Sequence, residues 1–154
     1  MSAASARAVT IRPAQIADVP RLVAIETAAF ATDRISPRSF RRQIRSASLA
    51  LHVATYDQIV HGYVLVALRA KTKHARIYSI AVDVDQGRGL GRRLMETAEA
   101  LARERGYPLM RLEVNETNRR AIGIYEQSGY TRIGRREDYY EDGAAALLYE
   151  KPIA

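Results

Sequence analysis

Apolar residues alternate with polar ones, or recur every third or fourth position, along most of the chain, and these two periods mark out its elements. Residues 9–12, Val-Thr-Ile-Arg, read as a short strand. In the helix that follows, Asp18 stands at the capping position and Pro20 lies in the first turn, where a missing N–H costs nothing. Val19, Leu22, Val23 and Ile25, with Ala24 beside Glu26, give this helix a face for a sheet. Ser36-Pro37 opens a second, short and basic helix with a narrow stripe of Phe40, Ile44 and Ala47. Three strands follow closely: residues 49–56, then 59–68 after the turn Asp57-Gln58, then 74–82 after a turn at 70–73. From Leu90 the residues Leu94, Met95, Ala98, Leu101 and Ala102 keep helical spacing up to Gly106. Residues 109–114 alternate again, with Met110, Leu112 and Val114 on one side and Arg111 and Glu113 on the other. Asn118 starts a helix whose buried side is predicted to be Ala121, Ile122, Ile124 and Tyr125, and Gly129 stops it. Residues 130–133 and 144–149 read as a closing pair of strands around the loop 139–143.

The order is β-α-α-β-β-β-α-β-α-β-β, an antiparallel meander leading into a βαβ unit. That predicts an α/β sandwich with a mixed sheet. Nothing repeats and no linker interrupts the chain, so its 154 residues read as one domain, residues 1–154, long enough to bury a core without staples.

Composition narrows the chemistry. There is no cysteine, so disulfides, thiolate metal sites and thiol nucleophiles are excluded. His52, His61 and His74 lack metal-ligand spacing, and no metal is expected. No apolar run approaches the roughly 20 residues that span a bilayer. The opening Met-Ser-Ala-Ala-Ser-Ala-Arg is too short and too weakly apolar for a secretory signal, so a cytoplasmic protein without a membrane partner is expected. The net charge of +7 would suit nucleic acid, with the densest cluster at Arg34, Arg38, Arg41, Arg42 and Arg45. No nucleic-acid-binding signature accompanies those arginines, and most of the excess reads as solvated surface.

The most informative stretch is Gln86-Gly-Arg-Gly-Leu-Gly-Arg92, which joins the β-branched run Ile77-Tyr-Ser-Ile-Ala-Val82 to the helix from Leu90. Glycines let a backbone approach an anion closely, and the free amides of the first helical turn point at it. No Lys-Ser/Thr follows, which excludes a P-loop, and Arg92 stands where a dinucleotide fingerprint needs its third glycine. A phosphate cradle and a plain glycine-rich turn both remain open on these residues alone.

Gln86-x-x-Gly89-x-Gly91 resembles the acetyl-CoA pyrophosphate loop of the GNAT acetyltransferase superfamily, and the element order is similar to the GNAT fold from Ile11 to Tyr149. A second run is Leu112-Glu-Val-Asn-Glu-Thr-Asn118, followed by Ala121-Ile122 and Tyr125-Glu-x-x-Gly129-Tyr130. It resembles the bacterial ribosomal-protein-alanine N-acetyltransferase (RimI-like) group of that superfamily. The resemblance implies a three-layer sandwich whose mixed sheet splays at its centre, with the pantetheine arm of acetyl-CoA bonding to the strand edge at Ile80, Ala81 and Val82. It implies pyrophosphate contacts from Gln86, Gly87, Arg88, Gly89, Leu90, Gly91 and Arg92. Asn118 would bond the cofactor arm, Glu113 would act as general base directly or through water, and Tyr125 would protonate the CoA sulfur. Tyr139 and Tyr140 match a tyrosine pair that grips the acceptor backbone. Each has a plainer reading: Glu113 paired with an arginine, Tyr125 a core aromatic, Asn118 a helix cap or both, and the tyrosines an ordinary turn. Two features depart from the family pattern: the segment from Val82 to Gly89 is one residue short, and Val84 replaces a usual proline.

The implied activity is N-acetyl transfer from acetyl-CoA to an amine, foremost the N-terminal α-amine of a protein or peptide, with a ribosomal protein as a candidate. Nucleic acid would enter only through such a ribosomal partner. Two rivals stand beside it. One is an acetyltransferase for a small amine such as a polyamine, amino acid or antibiotic, with Glu116, Glu137, Asp138, Glu141 and Asp142 available to hold a cation. The other is a CoA-binding regulatory module without turnover.

Overall fold

Strict alternation along the strands sends their side chains to opposite faces of one sheet, and each face buries its own core. The computed structural model describes residues 8–83 and 89–154. Among these, seven strands form the sheet: β1 (Thr10–Pro13), β2 (Leu49–Tyr56), β3 (Ile59–Ala67), β4 (His74–Val82), β5 (Leu109–Asn115), β6 (Thr131–Arg136) and β7 (Ala146–Pro152). Their order is β1-β2-β3-β4-β5-β7-β6. The helices are α1 (Val19–Ala29), α2 (Pro37–Ile44), α3 (Leu90–Glu104) and α4 (Arg119–Gln127). Leu51, Val53, Tyr63 and Leu65 pack with Leu22, Ile25 and Phe40 of α1 and α2. Ala54, Tyr56, Val64 and Val66 pack on the other side with Leu90, Leu94, Met95 and Ala98 of α3. The result is the expected mixed three-layer α/β sandwich.

Side-chain absence at Gly62 lets α3 and β4 close on β3. A Cβ there would lie 3.1 Å from both the Ala81 carbonyl oxygen and Leu94 Cδ1.

One pairing is incomplete, and it positions everything that follows. β4 and β5 are parallel and paired only from His74↔Leu109 to Ile77↔Leu112. At that point β4 bulges. Leu65 faces Ser79 and Val66 faces Ile77, so Tyr78 is the extra residue and its ring stands exposed. Beyond the bulge β4 continues along β3 to Val82, whereas β5 continues along β7 to Asn115. The sheet is therefore split between its two central parallel strands.

Two local expectations differ from the structure. Asp18 sits at the start of α1, but its carboxylate bonds to the Gln15 amide (2.7 Å) and to Arg12 (2.8 and 3.0 Å) instead of capping that helix. A charged partner and an amide of the preceding turn outcompete the helix amides for its oxygens. Ile124 is exposed, because it lies about 100° around α4 from the buried Tyr125 and faces away from the sheet.

Candidate active site

The split leaves backbone groups of β4 without a neighbouring strand. The Asp83 amide donates to the His61 carbonyl at 2.7 Å. Backbone groups in an antiparallel strand alternate sides, so Ala81 and Ser79 also turn theirs to β3. The N–H and C=O of Ile80 and Val82 therefore face the gap. The end of this strand is held by Arg21 of α1, which donates to Asp83 at 2.7 Å and to the Val60 carbonyl at 2.8 Å.

The gap opens into a groove of about 380 Å³. Ile80, Glu113, Asn118, Tyr125 and Tyr140, five of the residues singled out from sequence, line it. On the β5 wall, the Glu113 side chain is only 10% exposed. Its Oε2 lies 3.3 Å from Arg76 Nη2 and its Oε1 3.6 Å from Arg136 Nη1. Oε2 nevertheless has no aligned hydrogen-bond partner among the described residues. The carboxylate is thus held in place by two cations, with Tyr139 beside it.

Tyr125 rises from α4, buried against Tyr130 at 6.3 Å between ring centroids. Burial pushes its phenol up to about 12, so it keeps its proton through the neutral range. Asn118 caps the same helix, its Oδ1 accepting from the Ala121 amide at 3.2 Å. That bond uses only the side-chain oxygen, and Asn118 lines the groove.

Tyr139 and Tyr140 stack edge to face at 4.9 Å, and both amides donate to the Ala144 carbonyl at 3.2 Å. Tyr140 lines the groove, and burial raises its phenol. Tyr139 is not among the lining residues; it lies beside Glu113, and Arg76 Nη2 reaches its hydroxyl at 3.4 Å. Of the five acidic residues that might gather a small cation, Glu116 and Glu137 are both bound by Arg135, and only Asp142 lines the groove.

Gln86, Gly87 and Arg88 lie outside the described residues, as does Val84. Gly89 takes φ 71°, a left-handed conformation at the N-cap of α3 that favours glycine. Leu90 is buried in the core and has only its amide to offer a ligand, whereas Arg92 is exposed. A Cβ at Gly91 would still clear Val82 Cγ2 by 3.8 Å, so room there is not the constraint. Ala81 turns its methyl into the core beneath α1. Val82 packs at the edge of the opposite core, under α3.

Sequence reading missed Glu26. It is 2% exposed, yet it lines the wall opposite Glu113. Oε2 accepts the Ile35 amide at 2.7 Å and Oε1 the Tyr63 hydroxyl, which also meets Ser79 Oγ at 2.9 Å. Glu26 thereby ties the loop at residues 31–35 to the sheet. The available signal was its place in the Leu22-Ile25-Glu26 stripe; its partner Tyr63 is 37 residues away.

Burial raises the Glu26 pKa above its ordinary 4.5, against the opposing bonds from Tyr63 and Ile35. A raised folded-state value gives stability that is complete below pH 4.5 and lost as pH rises through the folded value. Glu26→Gln keeps the shape and removes the titration. Its stability relative to wild type should therefore climb as pH rises above about 4.5 and then level off, as measured by denaturant unfolding over a pH series. A difference that stays constant with pH would refute the raised value.

Comparison with known proteins places these features in a family. The model of the acetyltransferase (GNAT) domain matches residues 9–152. The N-alpha-acetyltransferase RimI of Mycobacterium tuberculosis is 32% identical over 141 residues, covering 89% of this chain and 87% of that protein. The ribosomal protein bS18-alanine N-acetyltransferase of Escherichia coli is 40% identical over 84 residues, covering 52% of this chain and 57% of that protein. The crystal structure of the ribosomal-protein-S18-alanine N-acetyltransferase from Escherichia coli superposes with a TM-score of 0.84 at 28% identity, over 96% of this chain and 95% of that one.

Proposed function

The chain belongs to the GNAT acetyltransferase family and is an N-acetyltransferase; from that premise we propose that it carries an acetyl group from acetyl-CoA to the N-terminal α-amine of a protein or peptide, with a ribosomal protein as the leading candidate. The observation that carries this reading is the split between β4 and β5, with free backbone groups of Ile80 and Val82 on one side and Glu113 and Tyr125 on the groove it opens.

The residues suit acetyl-CoA on their own chemistry. An extended arm bearing amides matches the unpaired backbone edge at Ile80 and Val82. The Gly89–Gly91 turn brings free amides of the first turn of α3 to the end of that edge, a setting for diphosphate. When bound, acetyl-CoA supplies the activated acyl group as a thioester. Glu113, on the groove wall, draws a proton from the acceptor ammonium directly or through water. Tyr125 holds a proton on its phenol oxygen for the departing sulfur. Asn118 orients the arm, and Tyr140 with its neighbour Tyr139 holds the acceptor backbone. The loop held by Glu26 forms the entrance.

A peptide acceptor is favoured over a small cation because Arg135 neutralises Glu116 and Glu137. Among the described residues, three of the four carboxylates that do line the groove are also already engaged: Glu26 by Tyr63 and the Ile35 amide, Asp33 by Thr32 and the Glu141 amide, Glu113 by its arginines. A ribosomal acceptor would set the reaction in the cytoplasm.

The test is thiol release from acetyl-CoA against peptides with free N-termini, the same peptides with blocked N-termini, and free polyamines, amino acids and aminoglycosides. Release with free-N-terminus peptides alone is the expected outcome. Release with small amines alone would replace the proposed acceptor, and no release with any amine would leave only binding.

A further inference from the structure

From the outer face of α2, we propose that this protein docks on RNA beside its acceptor entrance. The choice of RNA rests on the ribosomal acceptor proposed above; the face itself stands on independent observations.

The segment Pro37-Arg-Ser-Phe-Arg-Arg-Gln-Ile44-Arg45 sets Arg38, Arg41, Arg42 and Arg45 at i, i+3, i+4 and i+7, within an arc of about 100°. Phe40 fixes the helix from the other side. It is fully buried and meets Tyr63 edge to face at 5.6 Å, so all four guanidinium groups are exposed. Arg105 adjoins the end of the stripe, donating to the Ala47 carbonyl at 3.2 Å.

What sets these arginines apart is four unpaired guanidinium groups on one short helix face. Among the described residues, Arg69, Arg92, Arg93, Arg119, Arg120 and Arg132 are also without an ion pair but do not share such a face. Arg12, Arg21, Arg76, Arg103, Arg111, Arg135 and Arg136 each lie against a carboxylate. Among the described residues, no carboxylate stands within ion-pair distance of Arg38, Arg41, Arg42 or Arg45. Like charges three and four apart on a helix repel, by about 0.2–0.5 kcal/mol per pair in isolated helices. Arg38 in the first turn opposes the helix dipole, whereas Arg41 and Arg42 in the last turn are favoured by it, so the net cost lies in the mutual repulsion. The fold carries this cost on an eight-residue helix that is otherwise held by Phe40 and Ser36.

The face suits a polyanion and little else. It presents no apolar anchor, which membrane insertion requires, and no aromatic residue to build a desolvated protein hot spot around its arginines. Guanidinium forks take phosphate oxygens in pairs. From Arg38 to Arg45 the helix rises about 10 Å, and a duplex strand presents about three phosphates over that length. Ala31, Thr32, Asp33 and Ile35, which line the groove, lead directly into α2. RNA held on the stripe would therefore sit next to an acceptor tail entering the groove.

The test is fluorescence anisotropy of the full chain with a labelled RNA hairpin over a salt series. Arms with a DNA hairpin of the same sequence, polyglutamate, and phosphatidylglycerol vesicles run beside it. The variant Arg38→Gln/Arg41→Gln/Arg42→Gln/Arg45→Gln is compared with a control of equal net charge, Arg69→Gln/Lys71→Gln/Lys73→Gln/Arg132→Gln. Wild type should bind RNA, and the α2 variant should bind at least about 30-fold more weakly at low salt, with a log–log salt slope shallower by about 3. The control should stay within about twofold, and both variants should retain wild-type thiol release with a short free peptide. Equal losses in the two variants, no RNA binding by wild type, or equal binding to DNA, polyglutamate or vesicles would each overturn the proposal. Peptide acetylation without RNA binding would refute this inference alone, and RNA binding without acetylation would refute the proposed function alone.

Discussion

Glu113→Gln should lower turnover by about 100-fold or more while leaving the affinity for acetyl-CoA nearly unchanged. Glutamine fills the same space between Arg76 and Arg136 but cannot take a proton from the acceptor ammonium. The proposed cofactor edge is backbone of β4, on the far side of the split, so cofactor binding should not register the change. Loss of the negative charge also leaves two arginines facing each other without their counter-ion. The variant should therefore be checked by thermal melting, so that a folding defect is separated from lost chemistry. Steady-state thiol release over a pH series decides the matter. Turnover equal to wild type at every pH would remove Glu113 from the mechanism and leave it as a structural ion pair.

Tyr125→Phe should cut kcat by about 100-fold with little change in KM, because in the proposed mechanism the phenol acts on the departing sulfur and not on ground-state binding. Burial keeps the phenol protonated up to about pH 12, so the wild-type rate should show no loss from Tyr125 ionisation across the neutral range. The defect should shrink when the acyl donor is the thioester of a more acidic thiol, since a better leaving group needs less help. A wild-type rate in the variant, or a defect of the same size with both donors, would make Tyr125 a packing residue beside Tyr130.

Local features were readable because they depend on neighbouring residues. β2 and β4 span the predicted residues, and the Asp57-Gln58 turn does take positive φ at both positions. Ser36 caps α2 through the Ser39 amide as its Ser-Pro signature predicts. Features that depend on distant partners were not readable in the same way. The bulge at Tyr78 arises from the register of β4 against β3, and the split from two strands following different neighbours. Family resemblance, not periodicity, anticipated that split. Glu26 reads as a polar interruption of a helix stripe until Tyr63 and the Ile35 amide are brought to it by the fold. Asp18 looks like a helix cap until Arg12 competes for it. Glu113 unites both of its sequence readings, an arginine partner and a groove carboxylate in one side chain.

Amide-resolved hydrogen exchange along β4, with and without saturating acetyl-CoA, bears most directly on the central claim that the split between the parallel strands receives the cofactor arm. Without cofactor, the Ala81 amide, turned to β3, should exchange slowly, and the Ile80 and Val82 amides, turned to the gap, should exchange faster. With acetyl-CoA, Ile80 and Val82 should become protected while Ala81 changes little. Saturated binding that leaves Ile80 and Val82 exchanging as before would contradict it.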